Sequence, residues 1–172
     1  MKELFNDNWK FSLSEIDNDY KNAIKSNTWY DVEIPHDWLI SDTRDLYKTS
    51  QGLYRKEFDI TSEQLLGCIE VVFDGVYMDS TIYINDTEAF CWKYGYTTFG
   101  FDITKYLVAG RNTITVKINH VSPNTRWYSG AGIFRNVWIE YKNLSNIVRD
   151  GVYIHTEKRD CCWNIAIETE VS

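Results

Sequence analysis

The stretch R-W-Y-S-G-A-G-I-F-R-N-V, residues 126–137, decides how the rest of the chain is interpreted. It places a guanidinium and two large aromatic side chains beside a run of very small residues. Two glycines in that run would cost backbone entropy in a helix, so a tight loop is predicted. The apolar alternation that follows, up to Tyr141, predicts a strand. Arg126, Trp127 and Tyr128 are therefore expected at the mouth of a β-fold.

Short alternating segments like this one recur along most of the chain, with turn residues between them and no long helix. This pattern predicts an all-β fold, an antiparallel β-sandwich or jelly roll, over residues 1–145. Two further strand-like segments follow and predict the start of a second β-domain over residues 146–172. The predicted strands are Trp9–Leu13, Tyr30–Ile34, Leu53–Ile60, Cys68–Phe73, Ser80–Asn85, Thr113–Asn119, Val152–Ile154 and Asn164–Glu168.

Local capping signals support the turns between these strands. Thr61 followed by Gln64 has the spacing of a capping box, in which each side chain bonds the backbone of the other residue. The segment Phe101–Leu107 predicts a turn capped by its aspartate.

Composition excludes several classes of function. A chain of 172 residues with 44% hydrophobic and 16% aromatic content can form an ordinary packed core. The formal charge of −7 and the scattered basic residues argue against a nucleic-acid partner. No apolar run approaches the roughly 20 residues that span a bilayer, and the N-terminus lacks the apolar core of a signal peptide. We therefore expect no membrane partner and a cytoplasmic location.

Motifs of metal, cofactor and nucleophilic chemistry are absent from the sequence. The four cysteines have no C-x-x-C spacing and no paired histidines, so no metal site is predicted. They are interpreted as buried free thiols of a reducing compartment. The sequence has no G-x-G-x-x-G, P-loop, H-E-x-x-H or G-x-S-x-G, and no Asp or Glu is marked as catalytic by its context. Neither cofactors nor catalytic residues are predicted.

Two aromatic clusters each allow two interpretations. Pro35-His36-Asp37-Trp38 follows a strand that the proline ends. It is either a corner of a binding site or a turn whose aspartate accepts backbone N–H groups and whose tryptophan fills the core. We favour the turn. The glycine-spaced loop of residues 92–100 is either an aromatic platform for a sugar ring or a set of packing residues, and both readings stay open.

Six stretches in order resemble glycoside hydrolase family 2, the family of β-galactosidases, β-glucuronidases and β-mannosidases. They are I-P-H-D-W (34–38), G-L-Y-R-K-E-F (52–58), F-D-G-V-Y-M-D-S-T-I-Y-I-N (73–85), G-Y-T-T-F-G-F-D-I-T-K-Y-L (95–107), G-R-N-T-I-T-V-K-I (110–118) and R-W-Y-S-G-A-G-I-F-R-N-V-W-I (126–139). The resemblance implies the family's N-terminal sugar-binding domain, a galactose-binding-domain-like jelly roll. The tail I-V-R-D-G-V-Y-I-H-T is similar to the first strands of the immunoglobulin-like β-sandwich that follows in these enzymes.

The resemblance also implies where a sugar would be bound. In family members the catalytic glutamates lie in a later barrel that this chain lacks, so the chain alone is expected to be inactive. Two loops of the sugar-binding domain help to close the pocket in relatives, and they correspond here to residues 47–51 and 124–128. The substrate-binding residues implied are Tyr47, Thr49, Arg126, Trp127 and Tyr128. Some members carry an acidic residue in place of Arg126, so the preferred sugar is left open.

Three hypotheses follow. The first is a non-catalytic domain of a retaining β-glycosidase, with β-galactosidase expected first, whose partners are a β-linked sugar and the catalytic barrel of the same protein. The others are a free-standing carbohydrate-binding module and a structural or oligomerisation domain; a homo-oligomer of the full-length enzyme stays open. Arg126 either contacts sugar or only orders the interface. Arg135 is expected to be structural, and Gly130 and Gly132 to be required by backbone geometry.

Overall fold

A computed structural model of the chain describes residues 1–14, 19–26, 28–41, 44, 46–123 and 130–172. The strands of this part are β1 (Lys2–Leu4), β2 (Trp9–Ser14), β3 (Tyr30–Val32), β4 (His36–Asp37), β5 (Ser50–Ile60), β6 (Cys68–Phe73), β7 (Ser80–Ile84), β8 (Thr87–Trp92), β9 (Phe99–Asp102), β10 (Gly110–His120), β11 (Gly132–Ile133), β12 (Val137–Lys142), β13 (Ile147–Arg159) and β14 (Cys162–Val171). The helical segments are α1 (Tyr20–Ser26) and two 3₁₀ turns, Gln64–Leu66 and Thr104–Tyr106.

Two antiparallel sheets form the body of the protein. One has the order β1-β12-β6-β9 and the other β3-β2-β5-β10-β7-β8. Their facing side chains form one buried cluster that includes Trp9, Tyr54, Phe73, Ile114 and Ile139. Alternation of buried and exposed residues along β5 and β10 gives each strand one face in this core. The prediction of an all-β sandwich is confirmed, whereas the jelly-roll connectivity and the two domain assignments stay predictions.

Lys56 is a buried lysine on the core-facing side of β5. Lys56 donates from Nζ to the carbonyl oxygens of Asp7 at 2.6 Å and Phe5 at 3.3 Å. Its ammonium group also lies 3.9 Å from the centre of the Phe5 ring. Burial lowers the pKa of Lys56 to about 8, although Asp7 opposes this shift. The N-terminal segment is thus fastened to the middle of the larger sheet.

The strand predicted after the small residues is two strands in the structure. β11 pairs with β4, whereas β12 pairs with β6 and β1 in the smaller sheet. Arg135 lies between them and its Nη1 donates to the carbonyl oxygens of Asp74 at 3.5 Å and Tyr96 at 3.4 Å. The chain changes sheets at this point. Both contacts of Arg135 are made with backbone carbonyls of the protein, which agrees with the structural role expected for it.

The last two strands form a separate antiparallel hairpin. β13 and β14 pair with each other from Ile147 to Val171, with an irregularity after Ile147. Apolar side chains along both strands are exposed, among them Tyr153, Ile154 and Trp163. The hairpin therefore has little core of its own, and its assignment to an immunoglobulin-like domain stays a prediction.

Candidate functional site

The two loops implied to face the sugar begin side by side. β5 and β10 are paired so that Ser50 lies opposite His120. His120 donates from Nδ1 to the carbonyl oxygen of Lys48 at 2.9 Å, and the backbone N–H of Ser122 donates to Oγ1 of Thr49 at 3.1 Å. Segment 47–51 and the beginning of the segment after β10 are therefore held together at one end of the larger sheet.

The other end of the second loop is held by Asp37. Oδ1 of this carboxylate accepts the backbone N–H groups of Leu39 at 2.9 Å, Ile40 at 3.2 Å and Ala131 at 3.0 Å. The backbone N–H of Trp38 returns a bond to the carbonyl oxygen of Ala131 at 3.0 Å. The aspartate part of the preferred interpretation of the Pro35–Trp38 cluster is confirmed, whereas Trp38 is only half-buried and packs against the core rather than filling it.

Gly132 is required by the backbone at this point. Its φ of +147° lies in a region that residues with a side chain rarely adopt. A Cβ here would overlap the carbonyl oxygen of His36 and come within 2.7 Å of the Tyr54 hydroxyl. The short sheet of β4 and β11 depends on this close approach, which confirms the expectation for Gly132. Gly130 is buried, and its expected backbone requirement stays a prediction.

A cluster of aromatic side chains packs beside the ends of both loops. Trp38 stacks on Phe11 with ring centres 5.5 Å apart, and its Nε1 donates to Oγ of Ser50 at 3.0 Å. His36 Nδ1 lies 2.7 Å from the Tyr54 hydroxyl oxygen. Burial lowers the pKa of His36, against the opposing charge of Asp37. These contacts give the loops a packed aromatic base.

The implied sugar-binding residues fall into two groups. Tyr47 and Thr49 are exposed, with Tyr47 72% accessible, and Thr49 also serves as the acceptor for Ser122. Arg126, Trp127 and Tyr128 lie outside the described residues. The structure places Tyr47 and Thr49 just before β5 begins, and their contact with a sugar stays a prediction. It also adds His120 and Ser122, which the sequence analysis did not single out and which carry no local signal beyond their place at the end of a strand.

The glycine-spaced aromatic loop is mostly a packing element. Trp92 and Phe99 stack with ring centres 5.4 Å apart beside the core, and Tyr96 packs edge-on against Tyr77 at 5.5 Å. Tyr94 is 57% exposed. The structure favours the packing interpretation for all of these rings except Tyr94.

The thiols differ from the expectation of burial. All four cysteines are free, but Cys91, Cys161 and Cys162 are exposed and Cys68 is half-buried. The prediction of buried thiols was wrong because three of these residues lie on an outer strand and at a hairpin turn. The described residues contain no group of three or more His, Cys, Asp or Glu side chains that could hold a metal ion. None of the helices in the described ranges has the length and apolarity needed to cross a membrane.

The sequence of this chain matches one family of known proteins. The family model described as "Glycosyl hydrolases family 2, sugar binding domain" matches residues 14–156. This match covers most of the sandwich and the first part of β13. The chain belongs to glycoside hydrolase family 2.

Individual relatives agree with this assignment. The chain is 32% identical over 168 residues to β-galactosidase BoGH2A of Bacteroides ovatus, covering 91% of this chain and 20% of that protein. It is 26% identical over 206 residues to a β-glucuronidase of Formosa agariphila, covering 97% and 20%. The crystal structure of a β-glycosidase from Bacteroides vulgatus superposes with a TM-score of 0.78 at 29% identity, covering 99% of this chain and 24% of that one. The chain spans about a fifth of the length of these curated relatives.

Proposed function

We propose that this chain is the non-catalytic sugar-binding domain of a family 2 β-glycosidase, with a β-galactosidase as the first expectation. Segments 47–51 and 124–128 would form one edge of the sugar pocket, and the domain would pack on a catalytic barrel elsewhere in the same protein. The observation that supports this most is the bracing of Thr49 by Ser122 and of Ala131 by Asp37. Both loops leave the same sheet end on fixed supports, which is what a pocket edge needs.

The chemistry of the edge residues fits a sugar. Arg126 carries a fork of N–H donors for hydroxyl oxygens, and Trp127 or Tyr128 can cover the C–H face of a pyranose. The hydroxyls of Tyr47 and Thr49 can donate to or accept from the same ring. The cleavage step itself would belong to two glutamates of the barrel that act through a covalent glycosyl intermediate. The cytoplasmic location stays a prediction.

Hydrolysis of nitrophenyl β-glycosides tests this proposal. The galactoside, glucuronide and mannoside are offered to this chain and to the full-length protein that carries it. We expect activity in the full-length protein and none in the chain, with the galactoside cleaved fastest. Activity in the chain alone would overturn the accessory role. Inactivity of both, together with saturable sugar binding by the chain, would favour a free-standing carbohydrate-binding module.

Arg126→Ala in the full-length protein separates a pocket edge from a purely structural or oligomerisation domain. We expect a raised KM with an unchanged unfolding midpoint, because one set of donors to the sugar is lost. Arg159→Ala, which removes an exposed arginine of the hairpin, is the matched control and should change neither value. An unchanged KM and kcat in Arg126→Ala would rule out the sugar contact.

A further inference from the structure

A groove lies on the outer face of the larger sheet, over β2, β5 and β10. It has a volume of about 580 Å³, and its walls include Ile24, Trp29, Lys10, Glu57 and Asp59. Glu57 and Asp59 point outward because the residues between and beside them on β5, Lys56, Phe58 and Ile60, are buried. Along β5, Glu57 is about 23 Å from Ser50, so the groove is separate from segment 47–51 of the proposed pocket edge.

The groove combines an apolar wall with fixed hydrogen-bonding groups. Trp29 and Ile24 supply the apolar side, and the Trp29 ring is large enough to stack on a pyranose. On the other side, Arg111 donates from Nη1 to Oε2 of Glu57 at 3.0 Å and from Nε to Oδ1 of Asp59 at 3.2 Å. This guanidinium holds both carboxylates in place. Within the described residues, each carboxylate uses one oxygen in that contact, and the other can accept a hydroxyl hydrogen.

The charges in the groove are already compensated. Lys10 pairs with Asp31 at 3.3 Å and Arg55 with Asp86 at 3.5 Å, while Arg111 lies between its two carboxylates. Each of these cations has an acidic partner, so the groove offers little free positive charge to an acidic sugar or a phosphate. Donors and acceptors are both present, which suits the hydroxyl groups of a neutral ligand.

The groove is also longer than one sugar ring needs. A second depression of about 400 Å³ shares Asn8 and Lys10 with it and continues past Asp31 to Glu33. The two together cross several strands of the outer face. From these features, and from membership of a family whose matching domain is described as sugar binding, we propose that this groove binds a neutral oligosaccharide outside the catalytic pocket.

The test uses the full-length protein labelled with 5-fluorotryptophan and followed by fluorine NMR. The Trp29 resonance is assigned by its loss in Trp29→Phe. Neutral β-linked tetrasaccharides of glucose, galactose, mannose and xylose are titrated in large excess, together with tetragalacturonate as the acidic probe. We expect a saturable shift of the Trp29 resonance with at least one neutral sugar and a weaker response to tetragalacturonate. The absence of a Trp29 shift with every sugar, or tighter binding of the acidic probe, would overturn the proposal.

Matched variants locate the binding. Glu57→Gln should weaken the binding seen at Trp29 about tenfold, because a charge-assisted bond to the ligand is lost. Glu157→Gln is the control, since Glu157 is likewise an exposed carboxylate paired with an arginine at 3.0 Å, but it lies in the hairpin. Equal weakening by both variants would contradict the site.

The pocket-edge proposal is tested separately in the same samples. Arg126→Ala should leave the Trp29 shift unchanged, whereas Trp29→Phe should leave kcat/KM for the nitrophenyl glycoside unchanged. If Arg126→Ala abolished the Trp29 shift, the signal would report the pocket and the second site would be rejected. The proposal for the groove can therefore be rejected while the proposal for the pocket edge is kept, and the reverse is also possible.

Discussion

At the scale of single residues, Asp37 connects parts of the chain that are far apart in sequence. Its Oδ1 accepts from its own turn, at Leu39 and Ile40, and from Ala131, 94 residues further on. The turn and the end of the second loop therefore share one acceptor. A carboxylate that accepts backbone N–H groups in this way fixes the position of the loop.

We expect Asp37→Ala to lower the free energy of unfolding by about 2 kcal/mol, because several backbone N–H groups lose their acceptor. Urea unfolding followed by tryptophan fluorescence measures this change. In the full-length protein the same variant should raise KM more than it lowers kcat, since the loop carrying Arg126 loses its anchor at Ala131.

Asp37→Asn distinguishes the acceptor from the charge. The amide keeps a side-chain oxygen in the same place, so most of the stability should return. If the asparagine variant were as unstable as the alanine variant, the negative charge would matter more than the hydrogen bonds, and the geometric account of this turn would be wrong.

The sequence predicts hydrogen bonds between nearby residues well, but it does not predict contacts between residues that are far apart in the chain. The capping box is present as expected, with Thr61 N donating to Gln64 Oε1 at 2.8 Å and Gln64 N to Thr61 Oγ1 at 3.1 Å. Asp102 caps the backbone N–H of Thr104 at 2.8 Å. These bonds span two or three residues, so spacing reveals them. The contact of His36 with Tyr54 joins residues 18 positions apart on different strands, and no local pattern encodes it.

At the scale of elements, the hairpin β13–β14 is fastened to the sandwich by Arg149. Nη2 of this residue donates to Oε2 of Glu70 at 2.6 Å and Oε2 of Glu140 at 2.9 Å. Lys142 also donates to Glu70 at 2.7 Å. Burial raises the pKa of Glu70, but the bonds from Lys142 and Arg149 outweigh it and lower the pKa. A Cβ at Gly100 would lie 2.8 Å from Arg149 Nε, so the guanidinium rests on β9.

We expect Arg149→Ala to free the hairpin and to lower the free energy of unfolding by about 2 kcal/mol, because two partly buried carboxylates lose a charged donor. Hydrogen exchange should become faster throughout residues 147–171 and stay unchanged in β5 and β10. Mass spectrometry of peptides from the exchanged protein resolves these regions.

Arg159→Ala is the control within the same hairpin. Arg159 pairs with Glu157 at 3.0 Å, but both side chains are largely exposed, so the pair should contribute nothing measurable. Equal acceleration of exchange in both variants would show that the hairpin is held by something other than the Arg149 contacts.

The strands were predicted correctly where one alternating pattern of apolar residues corresponds to one strand. The alternation is recognisable along most of β10 and in the second half of β5, where one face lies in the core, whereas residues 50–54 of β5 are all buried. The prediction of a single strand after Gly132 was wrong, because its apolar residues lie on two strands that pair in different sheets. The chain passes from one sheet to the other around Arg135. The alternation of β5 also indicates that Arg55, Glu57 and Asp59 share its outer face. Only the structure shows that Trp29 lines the same groove.

At the scale of the whole molecule, the buried cluster and the hairpin are separate. The cluster runs from Phe5 to Ile139 and contains no residue of β13 or β14. The smaller sheet depends on β12, which pairs with β6 and β1 and contributes Val137 and Ile139 to the core. A boundary near residue 146 would therefore leave the core intact.

A chain that ends at Asn146 should fold and unfold cooperatively. Its loss of stability should match that of Arg149→Ala, because in both cases Glu70 and Glu140 lose the same guanidinium while the core is unchanged. Urea unfolding of the two proteins side by side measures this. A chain that ends at His120 is the contrast: it lacks Val137 and Ile139, which are 0% and 1% exposed, and should show no cooperative transition. If the chain ending at Asn146 also lost its transition, the hairpin would be part of the folding unit, and the separation into residues 1–145 and 146–172 would have to be abandoned.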